Sequence, residues 1–137
     1  MTLPKDWVCE PAEATLSIHA KKEPFGMLSV TAWKTSREPG GLGAFLARKE
    51  KELAAPQVEG EQVRAIEPVK LGHVRGLMRV SIAGQNDVPE MITMFFLGTE
   101  NTLVLATHSI ALAEYRTEEG KAQYKIASDI ILTMQIH

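Results

Sequence analysis

A single cysteine, Cys9, stands among the 137 residues, so no internal disulfide is available and packing and hydrogen bonds must hold the fold. Nothing ties such a chain to an oxidising compartment. The cytoplasm is the expected location, or the periplasm if a leader has been removed. An excess of charge of one sign is missing as well. Fifteen Lys and Arg against seventeen Asp and Glu leave a formal charge of -2, which supplies no field to draw in nucleic acid or an anionic membrane. No nucleic-acid partner is expected. No apolar run approaches the ~20 residues that span a bilayer, because the longest, around Met94 to Leu97, ends at Gly98. The opening Met-Thr-Leu-Pro-Lys-Asp-Trp lacks the basic-then-apolar pattern of a signal peptide. A soluble chain is expected.

The motifs of catalysis and ligand binding are also absent. His19, His73, His108 and His137 are scattered, without the His-x-x-x-His or Cys-x-x-Cys spacing of a metal site. Gly40-Gly41-Leu42-Gly43 lacks the Gly-Lys-Ser/Thr of a phosphate loop and reads as a turn. No serine sits in a Gly-x-Ser-x-Gly elbow, and no sequence neighbour of Cys9 would activate it. The pairs Glu59/Glu61 and Glu118/Glu119 are explained by a solvated link and a helix start. No cofactor and no metal are expected. The remaining route to an enzyme is a meeting in space of His19, His108 and carboxylates.

What is present is alternation and helical spacing. Ala14 to Ala20 alternates Leu16, Ile18 and Ala20 against Thr15, Ser17 and His19, and Leu28 to Trp33 repeats the pattern after a turn, which predicts a hairpin. Leu42, Phe45, Leu46, Lys49 and Leu53 predict a helix over Leu42 to Ala55, stopped by Pro56. Val63 to Leu71 reads as a strand that Pro68 confines to an edge or a bulge. Val74 to Ala83 reads as a half-exposed strand. Glu90 to Leu97 and Thr102 to Ser109, apolar on both faces, are expected at the centre of the sheet with cover on each side. Thr117 is placed to cap a helix over Glu118 to Leu132, with Ala122, Ile126, Ile130 and Met134 on one stripe. Thr133 to Ile136 then reads as a short closing strand or an extension of that helix.

These elements predict one α+β domain over residues 1–137, an antiparallel sheet flanked by helices on both faces. The element order, together with Pro4-x-x-Trp7 at the entry and the run Ile130-Ile131-Leu132-Thr133-Met134-Gln135-Ile136 at the end, resembles the Mog1/PsbP-like superfamily. That resemblance covers most of the chain. Cys9 stands where bacterial members often carry an acidic residue. It implies an α/β/α sandwich, and relatives that are mostly binding or assembly factors. Among them are a nuclear-transport GTPase-binding protein, a photosystem subunit, DcrB-like proteins and type VI effector-associated chaperones.

The surface singled out by sequence is the outward face of the Val74 to Ala83 strand, where Arg75, Leu77, Arg79 and Ser81 alternate, with Arg64 and Lys70 on its neighbour. Arg64, Lys70, Arg75, Leu77 and Arg79 form the expected protein-binding strip, suited to an acidic or amphipathic partner. Trp33, Met91 and Met94 are expected in the core. The expected role is non-enzymatic protein binding, assembly or chaperoning, with a homodimer as one version. The alternative is a small-molecule or lipid carrier with a pocket between sheet and helix.

Overall fold

A computed structural model describes residues 7–12, 15–20, 26–85 and 88–133, with 7–12, 15–20 and 85 described through the backbone alone. Ten main elements follow in order: β1 (Trp7–Ala12), β2 (Thr15–Ala20), β3 (Met27–Lys34), α1 (Gly41–Leu53), β4 (Gln62–Leu71), β5 (Val74–Gln85), β6 (Val88–Gly98), β7 (Thr102–Ala111), α2 (Leu112–Tyr115) and α3 (Glu118–Leu132). All seven strands join one antiparallel sheet in the order β1-β2-β3-β7-β6-β5-β4. The expected hairpin is β2–β3, and β6 and β7 lie inside the sheet as expected. The strand β1 and the one-turn helix α2 have no counterpart among the elements expected from sequence. Pro4 and the proposed ending over Met134 to Ile136 fall outside the described residues.

The register shows why helices sit on both faces. Leu28, Val30, Phe95, Leu97, Val104 and Ala106 fall on one side of the sheet and bury Ala127, Ile130 and Ile131 of α3. The alternate residues Leu77, Phe96 and Leu103 fall on the other side and bury Phe45 and Leu53 of α1. There Trp33, Phe45 and Phe96 form a chain of edge-to-face rings with centroids 5.9 and 5.6 Å apart. Each fully buried large apolar side chain contributes about 1.5–3 kcal/mol, so the two clusters hold the layers together. Gly76 permits close approach of β5 to β6, since a Cβ there would meet the Phe96 carbonyl oxygen. Gly40 and Gly41, at φ of 80° and 77°, make the left-handed turn into α1. At the sheet's margins, β4 carries Pro68 and a register shift between Val63 and Ala65, while β1 carries Pro11.

Arg79 and Leu77 correct the sequence reading: they lie beneath α1, at 2% and 3% exposure, and not on an outward strip. Arg79 reaches from β5 to the end of the helix. Its Nε donates to the Leu53 carbonyl at 2.8 Å and its Nη2 to the Ala55 carbonyl at 3.2 Å. The guanidinium fork also grips Glu61, with Nη1 to Oε2 at 2.9 Å and Nη2 to Oε1 at 2.6 Å. The Ser81 hydroxyl and the Gln57 amide donate to the same carboxylate at 2.8 and 2.6 Å. This clasp satisfies carbonyls at the end of α1, complements its dipole, and folds the 54–61 linker back on the sheet. The Arg79 hydrogen bonds hold the Glu61 carboxyl down at about 2 against the opposing effect of burial.

On the opposite face α3 is entered through Thr117, whose Oγ1 accepts from the Gly120 amide at 3.0 Å, as the sequence predicts. Tyr124 of α3 shares a 2.8 Å hydrogen bond with Thr93 Oγ1 and stacks edge-on against His108 and Tyr115. His108 is 3% exposed, its Nδ1 has no hydrogen-bond partner among the described residues, and burial pushes its pKa down to about 4.

Removing one member of the clasp leaves the other charge buried and unpaired. Arg79→Met and Glu61→Gln are each expected to lower unfolding free energy by about 3–5 kcal/mol. The combined Arg79→Met/Glu61→Gln chain is expected to lose well under the sum in urea unfolding. Strict additivity would show that the two groups do not act as a pair.

Acid acts on both buried groups with the same sign, because the unfolded state takes up the proton first. The contribution of neutral His108 is complete above pH 6.5 and is lost as pH falls toward 4. That of ionised Glu61 is complete above 4.5 and is lost as pH falls toward 2. The upper window is expected to remove about 3 kcal/mol, since each tenfold difference in proton affinity between the folded and unfolded chain is worth about 1.4 kcal/mol. His108→Leu should flatten urea stability against pH in that window alone; an unchanged slope would exclude His108 as its source.

Candidate functional site

The expected strip does not exist as one surface. Leu77 and Arg79 are consumed by packing under α1, whereas Arg64, Lys70 and Arg75 are exposed. Arg64 sits at the register shift of β4, six residues from Lys70, or about 20 Å along the strand. Lys70 and Arg75 are direct cross-strand neighbours. They line a cleft of about 310 Å³ with Leu46, Glu50, Pro68 and Leu77, in which Glu50 brings opposite charge to the two cations.

The larger opening arises because α1 is short. Its 13 residues span about 20 Å, and it ends at Leu53 while β5 and β6 run on to Gln85 and from Val88. The α3 face is sealed along the strands: Met91, Thr93, His108 and Ile110 are all buried. On the α1 face the same strands carry Glu90, Ile92, Thr107 and Ser109, none of them buried. The expectation that Glu90 to Leu97 is covered on both sides therefore holds only for its second half, from Phe95 onward. Met94 is half-buried at the edge of the α1 cluster and marks the boundary.

The clasp builds the wall of this opening. With Glu61 fixed by Arg79 and Gln57 Nε2 donating to the carbonyls of Glu52 and Ala55 at 2.8 and 2.9 Å, the linker presents Val58 and Glu59 beside the sheet. Opposite stand Ala83, Gly84, Val88, Glu90 and Ile92 at the turn end of the β5–β6 hairpin. The resulting cleft holds about 570 Å³. Val58 and Val88 are each 56% exposed at its rim, two apolar side chains that folding leaves in water. Among the described residues the lining includes two carboxylates, Glu59 and Glu90, and no lysine or arginine.

No catalytic arrangement accompanies the cleft among the described residues. His108 is on the other face, enclosed by Tyr124 and Thr93. His19 belongs to β2, two strands away from β7, and its side chain is outside the described set. Among the described residues no group of three or more His, Cys, Asp and Glu is placed to hold a metal ion, and no helix is long and apolar enough to cross a membrane.

No family model and no curated protein matches the chain. Solved structures do. LpqN of Mycobacterium tuberculosis, involved in cell envelope biogenesis, superposes with a TM-score of 0.70 at 16% identity, over 97% of this chain and 79% of its own. The cyanobacterial PsbP of Synechocystis gives 0.54 at 13% identity over 92% of this chain and 81% of its own. The Ran-binding protein Mog1p of Saccharomyces cerevisiae gives 0.50 at 13% identity over 91% and 76%. Of a Bacteroides thetaiotaomicron protein with a TM-score of 0.62 and 17% identity, 90% of this chain spans only 41%. At such identities the likeness concerns the backbone, and what it shows is that this chain has a Mog1/PsbP-like fold.

Proposed function

We propose that the chain is a non-enzymatic protein-binding or assembly domain whose partner lies against the open half of the sheet. The observation that carries this reading is the cleft of about 570 Å³ with Val58 and Val88 exposed at its rim. Apolar side chains held in water beside a concave floor gain by being covered. One neighbour agrees in kind, since Mog1p is a Ran-binding protein. A chaperone that shields an apolar segment of a client is the finer version of the same reading. The exposed pair Lys70 and Arg75 is what remains of the sequence-derived strip, and it lines a separate cleft.

A photo-crosslinking residue in place of Val88 tests this in cells. A discrete protein adduct is expected at that position and not at the exposed Glu118 of α3. Val58→Asp should reduce it by roughly tenfold or more while leaving urea stability unchanged. No adduct at Val88, or the same adducts at Glu118, would sink the proposal.

The same volume favours a second reading, since small-molecule sites occupy about 300–1,000 Å³. A carrier would release a defined small mass in native mass spectrometry, lost in Val88→Asp. Bare polypeptide mass from protein taken directly from cells would remove this reading.

A further inference from the structure

We infer that the segment received by the open cleft carries an apolar side chain flanked by lysine or arginine. This rests on the reading of the cleft as a protein-binding site and adds the chemistry of its partner. The lining supplies two kinds of contact. Val58, Val88, Ala83 and Ile92 are apolar, and Glu59 and Glu90 are acidic, with no cation among the described lining residues.

Glu59 has no ion pair among the described residues, for a structural reason. Two residues on, Glu61 is neutralised by the Arg79 fork and turned inward, and that same anchorage holds Glu59 at the cleft. Glu90 faces it from β6, paired in register with Ala83. An exposed basic pair, Lys70 of β4 and Arg75 of β5, lies further along the strands. Arg75 is eight residues from Ala83, so the separation is about 26 Å. That exceeds a Debye length of about 8 Å at physiological salt, so the Lys70/Arg75 pair does not cancel the acidic end. A cation-flanked apolar segment satisfies floor and rim together, whereas an acidic one meets like charge.

Two other features carry less. The Lys70/Arg75 cleft contains its own counter-charge in Glu50. The His108 cluster is filled by the Tyr124 ring.

Three labelled peptides of equal length test the inference: alternating Lys and Leu, alternating Gln and Leu, and alternating Glu and Leu. By fluorescence anisotropy the Lys–Leu peptide is expected to bind about tenfold or more tighter than the Gln–Leu peptide, with a preference that shrinks as salt rises. The Glu–Leu peptide should bind weakest. Glu59→Lys with Glu90→Lys should reverse this order. Both side chains are exposed, and an unchanged urea midpoint verifies the fold. Lys70→Glu with Arg75→Glu should leave the Lys–Leu affinity within about twofold, because those residues lie beyond the screening length.

Equal binding of Lys–Leu and Gln–Leu peptides would overturn the charge selection and leave the protein-binding reading standing. If none of the peptides binds and Val88 yields no crosslink in cells, both fail. One segment of the chain itself, Lys70-Leu71 at the β4–β5 tip, has the stated chemistry in part. Sedimentation velocity separates that source: self-association abolished by both charge-reversal pairs would assign the cleft to a second copy and overturn the assignment to a separate partner.

Discussion

The grip of Arg79 on Glu61 is the constraint from which the rest of this structure follows. One guanidinium ties strand β5 to two successive stretches of the chain more than fifteen residues before it: the carbonyls that end α1 and the linker leading to β4. Such a buried pair adds little net stability over an apolar substitute, because desolvating two ions offsets their attraction. Its effect is on geometry. With the fork satisfied on both oxygens and flanked by Ser81 and Gln57, the linker has one course over the sheet.

That course decides where cover stops. Above the clasp, Phe45 and Leu53 seal the sheet against Leu77, Phe96 and Leu103. Below it, the strands continue without a helix, while α3 and α2 protect their other side through His108, Tyr124 and Tyr115. The neutral imidazole is tolerated there because the surrounding rings make its charged form costly. Two faces of the same strands thus serve different ends, one closed for stability and one held open.

Much of this architecture was legible in the residues. Thr117 with Ile126 and Ile130 marks α3, although Ala122 of the expected stripe is exposed, Pro56 marks the end of α1, and Pro68 marks β4 as marginal. The burial of Arg79 was not legible, since a strand alternating Arg and Leu reads the same whether its face meets water or a helix end. Its partner lies 18 residues away, and Glu59 and Glu61 look alike until register places only the latter beside Ser81. The half-open face did leave a signal. Along one side of β7, Leu103 and Leu105 give way to Thr107 and Ser109, a change of polarity within a single strand that marks where cover ends. Averaged over the whole strand, that change disappears into a uniformly apolar pattern. The strand β1, with Glu10 and Pro11 among its six residues, carries too short a pattern to stand out.

The prolines of the marginal strands bear on a different matter. A sheet whose flanks expose consecutive free amides can template further strands and grow into aggregates. Here Pro11 in β1 and Pro68 in β4 each remove an amide donor, and the misregister near Arg64 disturbs the second flank further. The ladder is thereby discouraged from lengthening sideways at either end. A domain can then leave apolar side chains uncovered on its broad surface and await a partner there, without that exposure becoming a route to fibrils.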